Sequence, residues 1–173
     1  MSYYLQKYPV EPALTTIVHH DQLPIDSIEI GRLLDTTERE KLYVFVKRGQ
    51  HLSILTAYEN IKTHRYHCKQ YDFPLKALSW FPKALEEFRK PPAAGGLHAG
   101  AMTGVDERVG EEMLCVQAAT RGYYLVNRSR QSPLYLGGSY APSEISLSNN
   151  FLYKLGFLDL WKELGEKYAQ GEL

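Results

Sequence analysis

The sequence predicts an α+β fold made of two ββββα-like units, antiparallel sheets each followed by a helix. Three observations predict it. Residues 41–48 alternate strictly between aliphatic side chains and others, the two-residue period of a strand. Leu75, Leu78, Phe81, Leu85 and Phe88 then recur every three or four residues, the period of an amphipathic helix. The same order, strands and then a helical stripe, returns after a Pro/Gly/Ala-rich break at residues 91–110. With 173 residues, 44% of them apolar and 23% charged, the chain is expected to form a single domain, 1–173, with subunits of structure at 27–90 and 111–170.

Residues 1–26 carry scattered prolines and the run His19-His20-Asp21, and read as an irregular arm or an early strand. Residues 27–34 alternate weakly, as an edge strand does. In 41–48, Leu42, Val44 and Val46 fall on one face and Lys41, Tyr43, Phe45 and Lys47 on the other. Gly49-Gln50 turns into a strand at 51–58, a second turn follows at 59–62, and 63–71 is a fourth strand rich in aromatic residues. Pro82 either kinks the helix that follows or opens a second short one at its first turn. Residues 91–110 lack periodicity and read as a long loop or linker. Residues 113–120 and 123–130 form a hairpin around Arg121-Gly122, and 143–147 adds a strand. Residues 149–168 form a helix with Asn149 as N-cap and Gly171 as stop.

The formal net charge is zero, which disfavours a protein that holds duplex DNA by bulk electrostatics. The charge is nevertheless segregated. Residues 41–71 hold six Lys/Arg against one acid, and 113–143 hold three Arg and no acid. If helices cover the aliphatic side of the first sheet, its other side exposes cations interleaved with rings, the combination a single-stranded nucleic acid requires. The expected contacts are stacking on Tyr43, Phe45, Tyr71 and Tyr124, with Lys47, Arg65, Lys69, Arg128 and Arg130 on phosphates.

No residue pattern indicates an enzyme. There is no GxSxG elbow, no phosphate-loop lysine and no HExxH or CxxC spacing. His64, His67 and Cys68 lie close in sequence and His19-His20-Asp21 could add ligands. On a strand, however, His64 and Cys68 share a face while His67 points away, so neither a metal nor another cofactor is expected. Cys68 and Cys115 read as free core thiols. Residues 1–7 hold no apolar run of export-signal type, and no stretch approaches the roughly 18 apolar residues of a membrane-spanning helix. A cytoplasmic protein away from membranes is the expectation.

Four strands followed by a helix, given twice, resembles the fold of the Whirly, PUR and positive-cofactor-type proteins. The resemblance rests on element order, on the basic and aromatic strands 41–47 and 65–71, and on the segment Tyr71-Asp72-Phe73-Pro74-Leu75-Lys76-Ala77-Leu78 leading into the helix. It implies a non-enzymatic, regulatory module that binds single-stranded DNA or RNA, as a pseudo-symmetric monomer or a homodimer. The alternative is an interaction factor on the same scaffold that meets a protein partner through the sheet face or the linker.

Overall fold

The computed structural model describes residues 4–135 and 138–173. Strands β1 (Ile28–Asp35), β2 (Lys41–Arg48), β3 (His51–Glu59) and β4 (Tyr66–Pro74) form an antiparallel meander, sheet A, and helix α1 (Ala77–Glu86) follows it. Strands β5 (Glu107–Val109), β6 (Glu112–Ala119), β7 (Gly122–Gln131) and β8 (Pro142–Ser148) form a second meander, sheet B, followed by α2 (Asn149–Tyr153) and α3 (Phe157–Ala169). The α+β fold of two four-stranded sheets, each followed by helical structure, is as the sequence predicts.

Several element boundaries differ. Strand β4 starts at Tyr66 rather than at 63, because residues 60–65 close a turn in which Asn60 Oδ1 accepts the N–H groups of Lys62 (2.9 Å) and Thr63 (3.1 Å). The segment 91–110 is not a free linker. Gly104 N–H donates to Val116 O (2.7 Å), Ala118 N–H donates to Met102 O (2.7 Å), and β5 pairs with the start of β6. The last helix is interrupted: Gly156, at φ 97°, separates α2 from α3. Ser148, not Asn149, caps α2, its hydroxyl accepting the Phe151 N–H at 3.1 Å.

Helices α1 and α3 each rest on the sheet of the other half, while α2 also packs on β7 and β8 of its own. On sheet A lie α3 and its approach: Phe157 and Trp161 pack on Phe45 (centroids 5.5 and 5.8 Å), and Leu160 and Leu164 cover Gly31. Helix α1 reaches sheet B, where the Trp80 indole donates to Glu107 (3.1 Å) and Phe88 meets Tyr123 edge-on. One hydrophobic core therefore takes residues from both sheets and all three helices. Burying a ring such as Phe45, Phe81 or Phe157 stabilises the fold by roughly 1.5–3 kcal/mol.

Pro82 lies within α1, and the helix continues past it. Having no N–H, proline leaves the Leu78 carbonyl without its usual helical donor. Trp161 of α3 fills that role, its indole N–H reaching Leu78 O (3.2 Å) and Ala77 O (3.3 Å). Gly165 makes the approach possible, since a Cβ there would stand 2.7 Å from Leu78 O.

The faces of sheet A are the reverse of the sequence expectation. Tyr43 and Phe45 point into the core and are 2% and 0% exposed; Tyr71, at 8%, joins them. Leu42, Val44, Val46 and Leu55 form the outer face, where Ile17 and Leu23 of the N-terminal arm cover them. Hydrogen bonds hold the arm down: Ile17 N–H donates to Gln70 Oε1 (2.8 Å), and Arg48 donates to Thr15 O (2.8 Å). The arm also crosses sheet B, where Glu11 N–H donates to Ser129 O and the Tyr8 hydroxyl donates to Asp106 (2.9 Å).

Candidate functional site

The residues proposed from sequence for nucleic-acid contact scatter. Tyr43, Phe45 and Tyr71 are core rings and offer no stacking surface. Arg128 donates to Asp106 (2.7 Å). Arg130 is buried, with Nε on Glu112 Oε1 (2.5 Å) and Nη1 on Pro12 O (2.6 Å), so neither guanidinium is free for a phosphate. Tyr124 is half-buried on β7. Lys47 and Lys69 are half-buried at the rim of sheet A, and Arg65 is exposed in the turn before β4.

Arg65 and Lys69 lead to the part of sheet A that arm and helices leave open, the end formed by the 36–40 and 60–65 turns. A cleft of about 880 Å³ opens there on the outer face, floored by Leu34, Leu42 and Ala57 and walled by His19, His20, Tyr66, Arg39 and His64. Asp35 builds the first turn, accepting the Thr37 N–H and hydroxyl through Oδ1. Asn60 builds the second. Among the described residues, the non-glycine positions with positive φ are Arg39 (55°), Glu40 (52°) and His64 (54°), and all three line this cleft. Left-handed backbone costs such residues about 1 kcal/mol or more each, and this strain collects at functional positions more often than elsewhere.

Each face of this sheet end carries stacked rings. On the outer face His19 stacks on Tyr66 (4.4 Å, 18°) and on His20 (4.7 Å, 19°). On the helix-facing side Tyr58 of β3 stacks on its cross-strand partner His67 of β4 (4.8 Å, 17°). Arg39, Lys41, Lys62, Arg65 and Lys69 belong to the turns and strands of this sheet end, with Glu38, Glu40 and Glu59 among them. His64 leaves the strand altogether: it is exposed in the turn, where Nδ1 faces Glu59 (3.6 Å), so its expected alignment with Cys68 does not occur. Sequence reasoning missed Tyr58, Tyr66, His67 and Arg39. The available signal was the β3–β4 hairpin, whose register brings aromatic residues into cross-strand neighbours at its closed end.

Cys68 and Tyr66 are poor nucleophiles. Burial pushes the Cys68 thiol up, against a hydrogen bond from Tyr66 that lowers it. Burial likewise pushes the Tyr66 phenol up to about 12. On sheet B the Cys115 thiol is raised to about 12, also by burial. Both cysteines are free, as expected.

Compared with known proteins, the chain matches no family model, no curated protein and no solved structure. Among the described residues, no helix is long and apolar enough to cross a membrane.

Proposed function

We propose that this protein is a non-enzymatic module that binds single-stranded nucleic acid at the open end of sheet A. The observation that carries the reading is the pair of ring stacks, His19–Tyr66 and Tyr58–His67, on opposite faces of one sheet end whose turns and strands carry five Lys/Arg residues. Aromatic faces stack on bases at about 1–3 kcal/mol each, and cations follow the phosphates. The volume of the cleft, about 880 Å³, accommodates an unstacked base with its sugar. Of the residues proposed from sequence, Arg65 and Lys69 keep a place in this reading; Lys47, beside the 49–50 turn at the opposite end of sheet A, leaves it with Tyr43, Phe45, Tyr71, Tyr124, Arg128 and Arg130. The order of elements supports kinship in fold with the Whirly, PUR and positive-cofactor-type proteins. The acids among the cations favour a short segment over a long, salt-driven footprint.

The test is fluorescence anisotropy with labelled single-stranded DNA, single-stranded RNA and duplex DNA, at low and near-physiological salt. Single strands are expected to bind best and to weaken as salt rises. Replacing the exposed Lys62 and Arg65 together by Glu is expected to weaken binding about ten-fold or more, with the circular dichroism spectrum unchanged. Binding by that variant as tight as wild type, or none by wild type at low salt, would end the reading.

A further inference from the structure

His19, His20 and Asp21 place two imidazole nitrogens and a carboxylate oxygen within 4.8 Å of one another at the wall of the cleft. Their surroundings restrict where the protons sit. The Tyr66 oxygen accepts the backbone N–H of His20 (3.1 Å) and meets His20 Nδ1 at 2.8 Å. In the tautomer whose Nδ1–H donates to the phenol oxygen, His20 Nε2 carries the lone pair. Nε2 then faces Asp21 Oδ2 at 3.4 Å, acceptor to acceptor, across a gap that a cation closes. The second carboxylate oxygen, Oδ1, faces Arg32 at 3.5 Å, and Arg32 is itself held by Glu29. Each inner group thus has an outer partner that fixes its orientation: Tyr66 for His20, Arg32 for Asp21. Metal-ligating histidines and carboxylates are held in this way.

We propose that His19, His20 and Asp21 bind one divalent transition-metal ion, with its remaining coordination positions open to the cleft. Two imidazoles and a carboxylate suit zinc, nickel or copper and are a poor set for magnesium or calcium. His19 joins by releasing the Asp21 N–H that its Nδ1 accepts at 3.1 Å, a single exposed hydrogen bond. The adjacent imidazoles lie stacked and nearly parallel, so one ring has to turn for both lone pairs to meet a single ion. The sequence reading looked for a metal on the strand, at His64, His67 and Cys68, with His19-His20-Asp21 as added ligands, and set it aside. The arm supplies instead a compact set from three consecutive residues, and β4 supplies the outer-sphere phenol. The proposal does not rest on nucleic-acid binding, although His19 and Tyr66 belong to both sites.

The test is calorimetric titration of the full chain with zinc chloride, together with the visible spectrum on adding cobalt(II). One equivalent is expected to bind. His20→Ala and Asp21→Asn are each expected to lose about ten-fold or more in affinity, and Tyr66→Phe, which keeps the ring and removes the outer-sphere oxygen, a several-fold share of that. His98→Ala, a histidine in the 91–106 segment, is expected to bind like wild type, with circular dichroism verifying the fold of each variant. No uptake by the wild type would overturn the proposal. So would an unchanged cobalt spectrum in the chain carrying both His19→Ala and His20→Ala.

Discussion

Asp106 shows how single residues divert charge away from the surface. It accepts from Arg128 Nε (2.7 Å) through one oxygen and from the Tyr8 hydroxyl (2.9 Å) through the other, which ties arm, loop and β7 together. Burial pushes its carboxyl up, but the hydrogen bonds from Arg128 and Tyr8 outweigh that, and the net value lies below the ordinary aspartate range. A depressed carboxyl stabilises the fold above its unfolded value near 4, and that contribution is lost as pH falls through the lower folded value. Asp106→Asn is therefore expected to cost about 1–3 kcal/mol at neutral pH, through the weakened bond to Arg128. It is also expected to flatten the decline of stability with acid. Urea unfolding at steps from pH 6 down to 2.5 checks both, and parallel pH profiles for variant and wild type would refute the assignment. Arg128 was legible in the sequence as a cation on a strand and nothing more. Its partner lies 22 residues away in a Pro/Gly/Ala-rich stretch, and nothing in the spacing announces the pair. Tyr43 and Phe45 teach the same lesson in apolar terms. Alternation assigned them correctly to one face, but it does not say which face is inside. Sheet A is covered on both sides, by α3 on one and by the arm on the other, so neither face is solvent. The large rings fill the deep gap beneath the helix, while the smaller Val44, Val46 and Leu55 suit the thin cover of an extended arm.

Helices and strands were legible where their own period determined them. All four strands of sheet A and three of sheet B were legible from alternation, β-favouring composition and turns, whereas the three residues of β5 are a strand only because β6 pairs with them. Pro82 was readable as an irregularity in the helix, but its consequence required α3. The two are parts of one device: the proline removes a donor from Leu78 O, and the Trp161 indole replaces it. Trp161→Phe keeps most of the ring volume and leaves that buried carbonyl unsatisfied, at an expected cost of about 1–3 kcal/mol. In a Pro82→Ala background the new N–H at position 82 satisfies Leu78 O within α1, and the cost of Trp161→Phe should shrink. A double-mutant cycle by denaturant unfolding measures the coupling. Strict additivity of the two substitutions would show that the proline and the tryptophan are unrelated. The candidate site follows the same logic. His19-His20-Asp21 was visible as a cluster, but Tyr66 becomes its partner only through the path the arm takes across β4.

At the scale of the whole molecule, the exchange of helices determines how the chain folds. Sheet A exposes Tyr43, Phe45 and Gly31 to the rings and leucines of α2 and α3, which come from the far end of the sequence, while α1 covers sheet B. Sheet A is not covered by its own helix α1, and sheet B takes α1 as well as its own α2. The sheets also join directly, since Asn127 of β7 donates to Asp72 O of β4 (3.0 Å) and to Glu112 (3.1 Å), whose second carboxylate oxygen faces His51 (3.6 Å). Contacts between residues this far apart in sequence form late and as a set, so the full chain is expected to unfold in one transition. Far-UV circular dichroism and tryptophan fluorescence should then give coincident curves, because Trp80 of α1 and Trp161 of α3 report on both halves of one core. Residues 27–90 expressed alone are expected to lack a cooperative transition as a monomer, with the inner face of sheet A open to water. A monomeric 27–90 segment, verified by sedimentation and melting sharply on its own, would show that the halves are independent. The exchanged helices would then be a late embellishment on two self-sufficient units rather than the reason the fold exists.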